Sequence, residues 1–137
     1  GAPMTEEESQ VTRRTYRTVA IMVALLGVIV ACAPQGSGDG VDEELMALGE
    51  TVFEQNCARC HGTDGEGSPG VPALAGNATV TGDPDAVIQT VFEGAGTMPA
   101  FRDELSDEEI AAVISYIRNT WGNDAPAISA EDVAAAR

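Results

Sequence analysis

A chain of 137 residues has room for one folded domain and a targeting segment, but not for two domains of ordinary size. Its formal charge of −15, reached without a single lysine, excludes a nucleic-acid binder and favours partners with basic faces, although solubility or a high-salt habit would call for the same charge. Three cysteines, Cys32, Cys57 and Cys60, fall in two separate settings, which argues against a disulfide framework.

The N-terminal segment, residues 1–33, is read apart from the fold. Gly1-Ala2-Pro3 precede Met4 and are taken as a remnant of expression. Glu6, Glu7 and Glu8 offset Arg13, Arg14 and Arg17, so the whole negative charge lies from Cys32 onward. An arginine flank followed by an unbroken apolar run from Val19 to Ala33 has the shape of a secretory signal. The run is shorter than the roughly 20 residues of a comfortable membrane span. Ile29-Val30-Ala31-Cys32 also resembles a bacterial lipobox, which makes Cys32 a lipidation candidate. The rival is an uncleaved anchor helix over residues 18–33, with Arg17 snorkelling to the inner headgroups. Both alternatives leave the rest of the chain on the periplasmic, extracytoplasmic side of a bacterial membrane.

Residues 34–41 are rich in Gly, Ser and Asp and read as a flexible linker. Beyond it, Leu45, Leu48, Gly49, Val52 and Phe53 recur at helical spacing, which predicts an amphipathic helix over residues 42–56. From Gly62 to Gly82 the chain is small and Gly/Pro-rich, and a loop is expected throughout. Asp83-Pro84 marks an N-cap followed by proline, and a short helix carrying Val87, Ile88, Val91 and Phe92 should stop at Gly94. Ser106 with Glu109 forms a capping box, and Ile110, Val113, Ile114, Ile117 and Trp121 mark the stripe of a helix ending near Gly122. Residues 42–124 are thus one all-α domain, and 125–137 form a C-terminal tail with a weak helical signal after Ser129.

A small domain of short helices and long loops is poorly supplied with core and generally needs a staple. Cys57-Ala58-Arg59-Cys60-His61 supplies one. Two thiols three positions apart can reach the two vinyl groups of one porphyrin, and the following histidine then faces the iron. A thioredoxin-like pair would require a βαβ context, and zinc would require ligands this chain lacks, because His61 is its only histidine. The motif therefore predicts a single covalent haem c. For the sixth iron position, Met98 is the only methionine downstream, and no His, Cys or Lys competes with it. It sits in Gly94-Ala95-Gly96-Thr97-Met98-Pro99, a loop able to bring backbone close to a flat ligand.

Residues 41–122 resemble the class I cytochromes c. Gly49-x-x-x-Phe53-x-x-x-Cys57 is similar to the family's first-helix pattern, and Val113 and Tyr116 lie where the family places the partners of a helix crossing. Pro72 matches the proline whose carbonyl accepts the Nδ1–H of the haem histidine, and Met98-Pro99-Ala100-Phe101 resembles the axial-methionine segment of bacterial members. The resemblance implies an all-α fold with the haem in a crevice, Cys57, Cys60, His61, Met98 and Pro72 contacting it, and His61 and Met98 binding the iron. The lysine-rich docking face of mitochondrial members has no counterpart here, and the contacts to the haem propionates stay unassigned.

The function expected is single-electron carriage between membrane-bound respiratory or photosynthetic complexes, such as a quinol-oxidising complex and a terminal oxidase. A fixed cytochrome subunit of a membrane dehydrogenase or oxidase is the alternative. A haem sensor or peroxidase would require Met98 to leave the iron. No catalytic acid–base pair and no phosphate loop is present in the sequence, so the chain is not expected to be an enzyme by itself.

Overall fold

The computed structural model describes residues 42–137, which form six helices joined by loops and no strand. The N-terminal segment with Cys32 and the whole linker lie outside the described residues. The helices are α1 (Glu43–Asn56), α2 (Ala58–His61), α3 (Ala78–Thr81), α4 (Pro84–Glu93), α5 (Asp107–Asn119) and α6 (Ala130–Ala135).

Helix α1 starts where Asp42 accepts a hydrogen bond from the amide of Glu44, with Glu43 and Glu44 in the first turn facing the positive end of the dipole. Its buried face is Gly49, Val52 and Phe53, and that face crosses α5. At Gly49 a Cβ would lie 2.7 Å from the Cβ of Tyr116 and would overlap the carbonyl of Ala112, so only glycine lets the helices meet this closely. Tyr116, expected at the crossing, and Ala112 are thus the nearest neighbours of Gly49. Val113, next to Ala112, lines a cavity.

Both halves of the capping box at Ser106 and Glu109 are formed, and α5 is the most deeply buried helix, with Ile110 and Ile114 fully enclosed. It ends at Asn119, two residues short of Trp121. Thr120 returns its hydroxyl to the carbonyl of Tyr116, and Trp121 turns into the left-handed region at φ 55°. There Trp121 packs on Phe53 and Tyr116, with centroids 5.0 and 5.6 Å away, as part of an aromatic cluster rather than of the helical stripe.

Asp83 caps α4 as its sequence predicts, Pro84 opens it, and Ile88 and Phe92 carry its buried side. One turn was not anticipated. Within the stretch expected as loop, Asn77 accepts from the amide of Thr79 and starts α3. Four residues with one buried apolar side chain, Val80, hold too little periodicity to announce a helix. Residues 125–137 pack on the core: Ile128 and Val133 are buried, α6 begins with its own capping box between Ser129 and Asp132, and Ser115 of α5 exchanges two hydrogen bonds with the backbone of Ile128. Among the described residues no helix is long and apolar enough to cross a membrane.

Candidate functional site

Cys57 is the hinge between α1 and α2. Its amide closes the last turn of α1 on Phe53, while its carbonyl accepts from the amides of Cys60 and His61, both at 3.0 Å. The single turn of α2 therefore presents Cys57, Cys60 and His61 together at the end of α1, and Gly62 terminates it at φ 81°. All three side chains line one cavity of about 230 Å³. Its other walls are mostly apolar and come from every described helix except α6, with Phe53, Val80, Val91, Val113 and Ile117 among them.

His61 is nearly buried at 8% exposure, and its Nδ1 lies 3.0 Å from the carbonyl oxygen of Pro72. A carbonyl can only accept, so Nδ1 carries the proton and Nε2 keeps its lone pair for a metal. The amide of Gly67 donates to the His61 carbonyl, and Ser68 pairs with Val71 just before Pro72, so backbone bonds fix the loop that aims the imidazole.

Met98 comes from the loop after α4. Gly94 ends α4 at φ 71°, and a Cβ there would collide with the Met98 carbonyl and with Pro99, so glycine permits the sharp reversal after the helix. The Met98 amide then bonds the Ala95 carbonyl at 2.9 Å, and the Phe101 amide returns to Val91. This puts Met98 on the same cavity as His61, together with Pro72, Thr97 and Leu105. All five described residues singled out from the sequence thus meet around one space.

The donor set suits a flat apolar cofactor better than a bare ion. Burial pushes the Cys57 thiol up to about 11, with the neighbouring Cys60 adding to the effect. A redox or zinc-binding cysteine is normally held below its ordinary value, the opposite of the direction at Cys57. Among the described residues no three metal-binding side chains cluster. Two thiols, an oriented imidazole and a thioether around an apolar slot fit covalent haem, which Cys57 and Cys60 would anchor and His61 and Met98 would bracket.

Sequence reasoning did not find Leu105 or Asn77 on the cavity wall, nor the role of Asn123. The Asn123 amide group bonds the carbonyl of Leu74 and the amide of Gly76, joining the loop after Pro72 to the end of α5. A polar residue following glycine in a turn carries no sign of such long-range bonding. The N-cap at Asn77 was the one available signal.

Fold and site together define a c-type cytochrome: helices and loops wrapped around a slot whose walls offer a Cys-x-x-Cys-His turn and a distal methionine. Residues 44–117 match the family described as "Cytochrome C oxidase, cbb3-type, subunit III", and the chain belongs to that family. It is 40% identical over 124 residues to the cytochrome c subunit of a quinone-type alcohol dehydrogenase of Gluconobacter oxydans (strain 621H), covering 73% of this chain and 26% of that protein. It is 38% identical over 89 residues to the cbb3-type cytochrome c oxidase subunit CcoP of Azospirillum brasilense, covering 59% and 30%. Cytochrome c6 of Leptolyngbya boryana is 39% identical over 74 residues, covering 52% of this chain and 87% of that protein. The chain spans about a quarter of the length of the dehydrogenase subunits it matches. Its cofactor is accordingly covalent haem c with its iron, and residues 44–117 are an electron-transfer cytochrome domain.

Proposed function

We propose that this chain carries single electrons between membrane-bound respiratory or photosynthetic complexes outside the cytoplasm, through a haem attached at Cys57 and Cys60 with His61 and Met98 as axial ligands. The observation that carries the reading is the convergence of these four side chains on one apolar cavity, with the imidazole oriented by Pro72.

Haem c supplies a one-electron iron couple. What the protein contributes is its setting. The Pro72 carbonyl holds the His61 ring in one orientation and raises the basicity of Nε2. A methionine thioether together with the imidazole would favour the reduced iron. The mostly apolar walls would limit how much has to reorganise when its charge changes. Residues 67–82 and 94–101, which supply the loops lining the cavity, contain no charged side chain, although residues 42–137 carry 18 acids against four arginines. A neutral collar within an acidic surface suits close approach to a partner whose contact patch is apolar and whose rim is basic.

Membrane attachment through the N-terminal anchor or a lipidated Cys32 rests on the sequence alone, since both lie outside the described residues. A linker of residues 34–41 would give the haem domain a reach of about 15–20 Å. That raises its effective concentration beside a quinol-oxidising complex or a terminal oxidase. A fixed-subunit role has support of its own: the relatives in Gluconobacter oxydans and Azospirillum brasilense are named as subunits, and the match covers only 26% and 30% of their lengths. Gel filtration of detergent-extracted native membranes separates the two, because a fixed subunit elutes with large partners and a carrier elutes alone. The ligation itself is tested by optical spectroscopy on the purified holoprotein. The pigment should resist acid acetone and show the far-red sulfur-to-iron charge-transfer band; an extractable pigment, or a missing band, overturns the assignment.

A further inference from the structure

The family match ends at residue 117, yet residues beyond it bond several of the segments around the cavity. Arg118 bonds the carbonyls of Val80 and Gly82, and Asn123 bonds Leu74 and Gly76. The most distant of these ties concerns Met98. Seven residues after it the chain reaches Leu105, and this short run is bounded on one side by α4, where the amides of Phe101 and Arg102 donate to Val91 and Phe92. On the other side stands Arg137. Its guanidinium donates to the carbonyls of Arg102 and Leu105, at 2.7 and 3.4 Å, and pairs with Asp107 at 2.5 Å. Arg102 returns a bond to the Arg137 carbonyl at 3.3 Å, and Gln89 of α4 donates to Ala136 at 3.0 Å. Both guanidinium groups lie within 6 Å of the ring of buried Phe92, at 4.2 and 5.2 Å from its centroid.

This domain has four arginines, and three of them donate to backbone carbonyls in the described structure. Placing two cations side by side normally costs energy through repulsion. Here Glu93 lies against one and Asp107 against the other, and planar forks reach carbonyls that a lysine could not bridge in pairs.

We infer that Arg137 is a positioning residue for Met98: its clasp with Arg102 and Leu105 holds the Met98–Leu105 run against α4 and so keeps the thioether from leaving the cavity. This rests on Met98 being the sixth ligand. Without the clasp the run keeps its bonds to α4 but loses the fork on its other side, so local opening becomes easier while the helices stay folded.

The test uses the full-length holoprotein and measures imidazole binding, which requires the methionine to leave. Arg137→Met should raise the apparent imidazole affinity about tenfold, corresponding to about 1.4 kcal/mol on the opening equilibrium. Arg137→Lys should fall between this variant and the wild type. Val52→Ala, which hollows the core under α1 away from both the run and the tail, should lower the guanidinium midpoint and leave imidazole affinity unchanged. An Arg137→Met protein with wild-type imidazole affinity and only a lower midpoint would show the clasp to be merely structural, and so would an equal rise in Val52→Ala. Failure of the wild type to show the sulfur-to-iron band sinks the ligand assignment instead, so the two failures are distinguishable.

Discussion

Gly49 of α1 sits against Tyr116 of α5 so closely that a single added methyl would lie 2.7 Å from the Tyr116 Cβ. The near neighbours are helix backbone and the first side-chain atom, neither of which can swing away. This contact sets the angle at which α1 leaves the crossing, and Cys57 sits just past the end of that helix. Gly49→Ala should therefore destabilise the holoprotein by about 1–3 kcal/mol through overpacking. The guanidinium midpoint reports it, and an unchanged midpoint would mean the helices can separate without cost.

Met98 enters the cavity from a loop fixed by Gly94, so its removal should leave the backbone largely as it is. Met98→Ala should abolish the far-red band, let the ferrous protein bind carbon monoxide stoichiometrically, and lower the reduction potential, because methionine is the ligand that favours reduced iron. Spectra under carbon monoxide and a redox titration check both. If carbon monoxide binds the wild type as readily as the variant, Met98 is not on the iron and a sensor or peroxidase reading regains ground.

Much of this arrangement can be read directly from residue types, for identifiable reasons. Asp83-Pro84 and Ser106 with Glu109 act within one turn, so their sequence signal and their structural effect coincide. The Cys57–His61 run is equally local, since one helical turn brings its three functional groups to one side. What escaped depends on partners far along the chain. Trp121 continues the apolar spacing of α5, but the helix had already ended at Asn119 and an aromatic cluster claimed the ring. The contact of Gly49 with the Ala112 carbonyl is made by backbone, which residue type does not announce. Arg118 and Asn123 carry no local signal of their role, and only the folded chain places their long-range bonds to Val80 and Leu74.

Ser115 is fully buried on α5, donating to the carbonyl of Ile128 at 3.2 Å and accepting from the amide of the same residue at 2.8 Å. Ser115→Ala removes one partner and leaves an enclosed N–H and C=O unsatisfied, which costs about 1–3 kcal/mol. Hydrogen exchange should show the loss concentrated in residues 125–137, with the amide of Ile128 losing protection first. Uniform loss across α1 and α5 would mean that the tail and core unfold together rather than in order.

Docking electrostatics follow from where charge is absent as much as from where it lies. The two uncharged loops, residues 67–82 and 94–101, should make the close contact, while the acids of α1, Glu50 and Glu54 among them, steer from outside that patch. Steering of this kind acts across solvent and is screened within a Debye length of about 10 Å at 0.1 M ionic strength. Electron exchange with a basic electron-transfer protein should therefore be fast at low salt and slow steeply as salt is added, and the reverse should hold for an acidic partner, where salt relieves repulsion. Charge removal discriminates further. Glu54→Gln should lower the association rate and flatten its salt dependence, because it subtracts from the long-range field. Thr97→Ala, an uncharged change on the collar, should leave the salt slope intact and alter only the rate reached at high salt. Stopped-flow measurement of both variants against ionic strength separates the two effects, and a Glu54→Gln protein with the wild-type slope would mean that the partner approaches from another face.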